Sequence, residues 1–306
     1  MMTPSRATHT SDTDLRYLRR SFVRHLAAER RSAATRAAYG AAVDQLESFL
    51  AGHGLPTTVR QLQPDHVDAF FVSLHERQLR PSTILARHHA LSRFFGWLVA
   101  EGELEASPMA QLPRPTAPLG QPTVLTADQI RALLGACAGA AFEDLRDAAL
   151  IRLFVDTGLR LTEMAALEID DIDLDRDAVY LAGTAGAPRA IPFDRPAARA
   201  LEGYLAARAS HDRAHLPALW LGRRGRLTER GIEQAIRHRG QMAGLPTLRP
   251  HQFRHTFVQS YLAAGGDRRH LMRLVGWKSR QLLGRYAITE RAQRPPPTWL
   301  HPGDRL

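Results

Sequence analysis

The sequence predicts a mainly α-helical protein with a small antiparallel sheet, divided into two domains. Three observations carry that reading. A chain of 306 residues exceeds what a single core usually holds. Five prolines fall between Ser107 and Pro122, a density that favours an extended, semi-rigid segment over helix or sheet. On either side of that segment apolar residues recur at helical spacing, and only two short stretches read as strands.

The expected organisation is a disordered N-terminus over residues 1–11, a helical domain over 12–106, a proline-rich linker over 107–122, a second domain over 123–294 and an irregular proline-rich tail over 295–306. In the first domain Ser11 or Asp12 caps a helix carrying Leu15, Leu18, Phe22 and Leu26. Ser32 opens a second, with Tyr39, Val43, Leu46 and Leu50, which Gly52 and Gly54 stop. Pro64 suits the first turn of a third, with Val67, Phe70, Phe71 and Leu74 inward, and Pro81-Ser82 begins a fourth. Four short amphipathic helices make a bundle. Arg16, Arg20, Arg24, Arg87 and Arg93 are left for its outer faces, either as a solvated surface or as one that meets DNA.

The second domain opens on a capping box, Thr126 with Gln129. A helix over about 144–156 meets the Gly158 turn, and Arg160 stands at the next helix start. Residues 179–181 and 189–193 read as paired strands about the turn at 183–188. Further helices are expected near 196–209, 228–242, 250–264 and 267–275, with a last one around Tyr286. Helices with a small antiparallel sheet make this domain α+β.

Composition narrows the function. The net charge is +10, and Lys278 is the only lysine, so the excess is arginine. Such a balance points to a polyanionic partner, with a GC-rich coding sequence as the plain source of the arginine bias. No apolar run is long enough to cross a bilayer, and the first residues lack a signal-peptide core, which leads to the expectation of a cytoplasmic protein. Cys137 has no partner for a disulfide and lies on an apolar helix, where core packing accounts for it.

Four residues can act on a phosphodiester. Arg160 lies in Thr157-Gly158-Leu159-Arg160-Leu161-Thr162-Glu163, with Glu163 one turn away to orient it. Pro250 makes His251 an early helical residue, and Arg254 shares its face at i+3. A helix start also offers free N–H groups to an anion. Tyr286 can attack phosphorus once cations stabilise its phenolate and a base takes its proton. Taken singly, each has a plain alternative: a satisfied surface histidine, a solvated ion pair, a packed tyrosine. His251 and His255 also stand at i, i+4, a metal-ligand spacing. Gln252 occupies the place where a zinc-protease helix needs glutamate, and no third ligand is evident, so no metal is assigned.

In this order, Arg160, His251 with Arg254 in PHQFRHTF, Val275-Gly276-Trp277 and Tyr286 resemble the tyrosine recombinase (phage integrase) family, of Xer or integrase type, over about residues 12–290. The resemblance implies an N-terminal four-helix core-binding (SAM-like) domain and a catalytic domain that ends in the tyrosine. It implies a site-specific DNA recombinase working by transesterification without metal or nucleotide cofactor. Tyr286 would attack a phosphate of a double-stranded recombination site, leaving a 3′-phosphotyrosyl link and a free 5′-hydroxyl. Arg160 and Arg254 would hold the non-bridging oxygens, His251 would act as general base, and Trp277 would pack and orient. A homo- or heterotetramer on two DNA sites, nucleoid-associated and without membrane attachment, is implied as well. Pro295–Pro297 would interrupt a helical tail of the kind that docks on a neighbouring subunit.

One position departs from the family. Its general-acid lysine belongs in the hairpin turn, where this chain reads Gly183-Thr184-Ala185-Gly186. Thr184 stands in the lysine's place, and Arg189, five positions later, is the one basic residue of the hairpin and a poor acid. Either Arg189 or water substitutes, or cleavage is slow, or the chain is a DNA-binding relative that has lost efficient cleavage. A type IB topoisomerase-like nicking-closing activity and a helical protein without DNA chemistry are the remaining alternatives.

Overall fold

Proline and polar caps decide where the helices of the N-terminal unit begin. The computed structural model describes residues 14–116, 122–182, 188–277, 283 and 286. The chain forms two units, residues 1–119 and 120–306. In the first, helix α1 (Leu15–Ala28) starts at Asp14, whose carboxylate accepts from the Arg16 N–H at 2.8 Å and the Thr57 hydroxyl at 3.1 Å. Ser11 and Asp12, the caps expected from sequence, lie outside the described residues. Asp14 serves because a tertiary partner, Thr57, fixes its carboxylate, which local sequence does not reveal. Helix α2 (Ala33–Gly52) is capped by Ser32, and α3 (Pro64–Glu76) and α4 (Pro81–Ala100) each open on proline, as expected. Phe22, Phe70, Phe94 and Phe95 fill the core of this bundle, and Phe22 meets Phe94 edge-on at 5.2 Å. Residues 107–116 hold neither helix nor strand, yet Met109 is buried in the same core.

The second unit contains α5 (Ala127–Gly135), α6 (Phe142–Thr157) and α7 (Leu161–Ala166). Strands β1 (Ile172–Asp173), β2 (Ala178–Leu181) and β3 (Arg189–Pro192) follow, then α8 (Arg195–Ala209). A small hairpin, β4 (Leu221–Gly222) and β5 (Gly225–Arg226), precedes α9 (Glu229–Met242), α10 (Pro250–Ala263) and α11 (Arg268–Val275). The expected strand pair is present, with Val179 opposite Ile191 and Leu181 opposite Arg189. Strand β1 adds an antiparallel edge to it, and the β4–β5 hairpin was not anticipated. Two-residue strands are too short to show alternation. The turn segment 183–187, with Thr184, lies outside the described residues, as does the expected last helix apart from Leu283 and Tyr286. The expected disordered N-terminus and irregular tail lie outside them too.

Helix α6 is the centre of this unit. Ala149, Leu150, Ile151, Leu153, Phe154 and Val155 are all buried, so its apolar surface runs around the helix. Phe154 stacks on Phe253 of α10 with ring centroids 5.6 Å apart, which fixes α10 against α6. Cys137 is buried here, and burial pushes its thiol up to about 11, consistent with packing.

Candidate active site

The site is assembled where α6 ends. Thr157 donates to the Leu153 carbonyl, and Gly158 then turns the chain through the left-handed region at φ 57°. A Cβ at Gly158 would stand 2.6 Å from Cδ1 of Phe257, so both the turn and the close approach of α10 require glycine. Two residues on, Arg160 precedes α7, and the Glu163 carboxylate accepts from its backbone N–H at 2.8 Å. The same carboxylate accepts from the Arg160 guanidinium (Nη1 to Oε1, 2.8 Å). It also accepts from Arg189 Nη2 at 2.7 Å. Burial alone would raise the Glu163 carboxyl, but the Arg160 N–H and the Arg189 and Arg160 guanidiniums outweigh it and hold it below the usual range.

Helix α10 contributes the next group. Pro250 occupies its first turn, and the Gln252 side-chain oxygen accepts from the Arg249 N–H at 2.8 Å. Gln252 is therefore a cap residue. Arg254 is buried. Its Nη1 donates to the Gly158 carbonyl at 2.8 Å, and its Nη2 donates to Val275 O. Burial first, and then the Arg160 charge, pushes its guanidinium down to about 10, so it stays charged at neutral pH.

The end of α11 joins these side chains. Its last carbonyls have no intrahelical donors and lie at the negative end of the helix dipole. Leu274 O accepts from Arg189 Nε at 2.9 Å, Val275 O from Arg254, and Gly276 O from Arg160 Nη2 at 3.2 Å. Three successive carbonyls thus seat three guanidiniums. Gly276 closes the helix at φ 64°, and a Cβ there would lie 3.2 Å from Arg189 Nη1 and 3.4 Å from Arg160 Nη1. A cavity of about 480 Å3 opens beside them, lined in part by Arg160, Glu163, Arg189 and Gly276.

Trp277 follows directly. Its ring lies 5.6 Å from the Arg254 guanidinium carbon and 5.9 Å from the Tyr286 ring. Tyr286 is buried, and its hydroxyl is hydrogen-bonded to Nδ1 of His255. His251, which the sequence reading offered as general base, is exposed, and its ring meets that of His255 edge-on with centroids 4.3 Å apart. The structure therefore gathers Arg160, Arg254, Trp277 and Tyr286 with Arg189, and adds Glu163 and His255. His255 entered the sequence reading only as half of a metal-ligand spacing. Its position at i+1 from Arg254 gives no sign that it faces the tyrosine. Among the described residues no group of three His, Cys, Asp or Glu side chains could hold a metal ion.

Comparison with known proteins identifies the family. Residues 123–292 match the phage integrase family, and residues 20–102 match its N-terminal SAM-like domain. The chain belongs to the phage integrase family. A tyrosine recombinase XerC of Roseiflexus castenholzii is 35% identical over 268 residues, covering 85% of this chain and 84% of that protein. This member of the family is accordingly a tyrosine-type site-specific recombinase. Two solved structures share the fold. The Tn1549 transposon integrase in complex with transposon right end DNA has a TM-score of 0.73 at 18% identity, covering 91% of this chain and 99% of that one. The XerH recombinase bound to a palindromic difH substrate has a TM-score of 0.72 at 18% identity, covering 93% and 82%. No helix among the described residues is long and apolar enough to cross a membrane.

Proposed function

We propose that this recombinase cuts and rejoins double-stranded DNA through a covalent link between Tyr286 and a 3′-phosphate. The observation that carries the reading is the Tyr286 hydroxyl hydrogen-bonded to an imidazole beside three seated guanidiniums. In the attack, the Tyr286 oxygen forms a bond to phosphorus as the bond from phosphorus to the 5′ oxygen breaks. The tyrosine proton passes to His255 Nδ1, and the departing 5′ oxygen takes up a proton to become a hydroxyl. Arg160 and Arg254 hold the non-bridging oxygens and offset the negative charge of the pentacoordinate transition state. Trp277 packs against Tyr286 and Arg254. His251, whose ring meets that of His255 edge-on, is the alternative general base. Phosphorus stays bonded throughout, so rejoining by the reverse attack needs no metal and no nucleotide.

A net charge of +10 supports DNA as the partner, as do the DNA complexes of the XerH recombinase and the Tn1549 integrase. On this reading the working assembly is a homo- or heterotetramer on two sites. The domain limits proposed are 12–106 for core binding and 123–294 for catalysis, joined by the proline-rich segment. A second reading, a DNA-binding relative with slow cleavage, is favoured by Thr184 in the lysine's place.

A nicked suicide duplex tests this. Its site is selected from a random-sequence DNA pool by binding to the full chain. The wild type is expected to become trapped on it covalently, and Tyr286→Phe to leave no adduct. A wild type that binds its selected site without ever forming an adduct would favour the second reading.

A further inference from the structure

Arg189 is part of the site but has no part in the chemistry above. It sits at the start of β3, nearly opposite the end of α11 in space, and its side chain is 15% exposed. Nε donates to Leu274 O and Nη2 donates to Glu163 Oε1. Glu163 Oε1 is the atom that also accepts from Arg160 Nη1, so one carboxylate oxygen lies between two guanidiniums. Its other oxygen accepts from the Arg160 backbone N–H. Glu163 therefore fixes both the main chain and the side chain of Arg160, and Arg189 fixes Glu163.

We propose that Arg189 is a positioning residue of the phosphate clamp, holding Glu163 against Arg160 and the end of α11, and that it does not protonate the leaving oxygen. This rests on the reading that Tyr286 attacks a DNA phosphate. Two physical points favour positioning over acid catalysis. A guanidinium does not give up its proton at neutral pH. Two of the Arg189 donors, Nε and Nη2, are also committed to a main-chain carbonyl and a carboxylate. Losing Arg189 leaves Glu163 Oε1 with one cation, and the Arg160 fork loses the brace that keeps it aimed. A misplacement on the order of 1 Å in such a group lowers a rate about 100-fold.

Three substrates separate the roles, each a nicked duplex carrying the pool-selected site. One has an ordinary scissile phosphate. The second has a methylphosphonate there, which removes the charge that the clamp neutralises. The third has sulfur in place of the bridging 5′ oxygen, a leaving group that needs no proton. On the ordinary substrate Arg189→Gln should form adduct about 100-fold more slowly than wild type. Arg189→Lys, which keeps one charged contact, should recover part of that loss. The gap between wild type and Arg189→Gln should narrow to a few-fold on the methylphosphonate and stay wide on the sulfur substrate. Thermal unfolding of both variants shows that each is folded, and the ratio between substrates is unaffected by a uniform loss of folded protein. Closure of the gap on the sulfur substrate, or a wild-type rate for Arg189→Gln on the ordinary one, would overturn the proposal. A wild type that forms no adduct on any of the three would instead overturn the reading beneath it.

Discussion

Replacing Asp156 by asparagine isolates one buried proton at the end of the helix that delivers Arg160. Asp156 is 1% exposed, and its Oδ2 accepts from the Asp194 N–H at 3.0 Å. Burial first, then its contact with the Asp194 carboxyl, pushes the Asp156 carboxyl up to about 8, with the Arg152 charge acting in the opposite sense. Asp194 accepts from the Ala197 N–H at 2.9 Å as the cap of α8, so the Asp156–Asp194 contact joins α6 to α8. At neutral pH the folded protein keeps the Asp156 proton, whereas the unfolded chain, with an ordinary carboxyl near 3.8, has lost it. The folded state then binds one proton more, and stability falls as pH rises between those two values, by about 1.4 kcal/mol per pH unit at most. Asparagine keeps the acceptor and supplies a permanent donor, so it removes that slope. The assay is urea unfolding of wild type and Asp156→Asn at pH 5, 6, 7 and 8. The stability of the variant relative to wild type should climb by about 3–4 kcal/mol across that range, since the groups away from this pair titrate alike in both proteins. A relative stability that stays flat, or that falls with pH, would refute the account of a raised Asp156 carboxyl.

Gly158→Ala should cost about 2–4 kcal/mol by urea unfolding, from the left-handed backbone and the approach of Phe257, and it should slow cleavage by shifting the carbonyl that seats Arg254; a change below about 0.5 kcal/mol would contradict the packing described. His255→Gln keeps a polar partner for Tyr286 but no base, and adduct formation should fall about 100-fold or more. If His251→Gln is the more damaging of the two, the general base is His251. Thr184→Lys should raise the rate of adduct formation if protonation of the 5′ oxygen limits it, and an unchanged rate would mean another donor already serves.

The parts of the site that local sequence encodes were legible. Gly158 marks a left-handed helix end whatever surrounds it, and Pro250 marks a helix start, so the settings of Arg160 and Arg254 could be read from turn chemistry. The capping box at Thr126 and the starts at Ser32, Pro64 and Pro81 belong to the same class. What depends on contacts across the chain was not legible. The cap at Asp14 relies on Thr57, strand β1 exists because it pairs with β2, and His255 faces Tyr286 only through the packing of α10. The seating of Arg160, Arg189 and Arg254 on the last carbonyls of α11 joins three segments far apart in sequence. Nothing in the spacing of Arg189 shows that it shares a carboxylate with Arg160.

The measurement closest to the central claim is mass spectrometry of the protein trapped on its suicide duplex. Trypsin releases Tyr286 in the peptide that ends at Arg291. This peptide should carry the nucleotide, joined through the 3′-phosphate of the cleaved strand, while the other strand end has a free 5′-hydroxyl. A nucleotide on any other residue, or a link through a 5′-phosphate, would contradict the assignment of Tyr286 as the nucleophile.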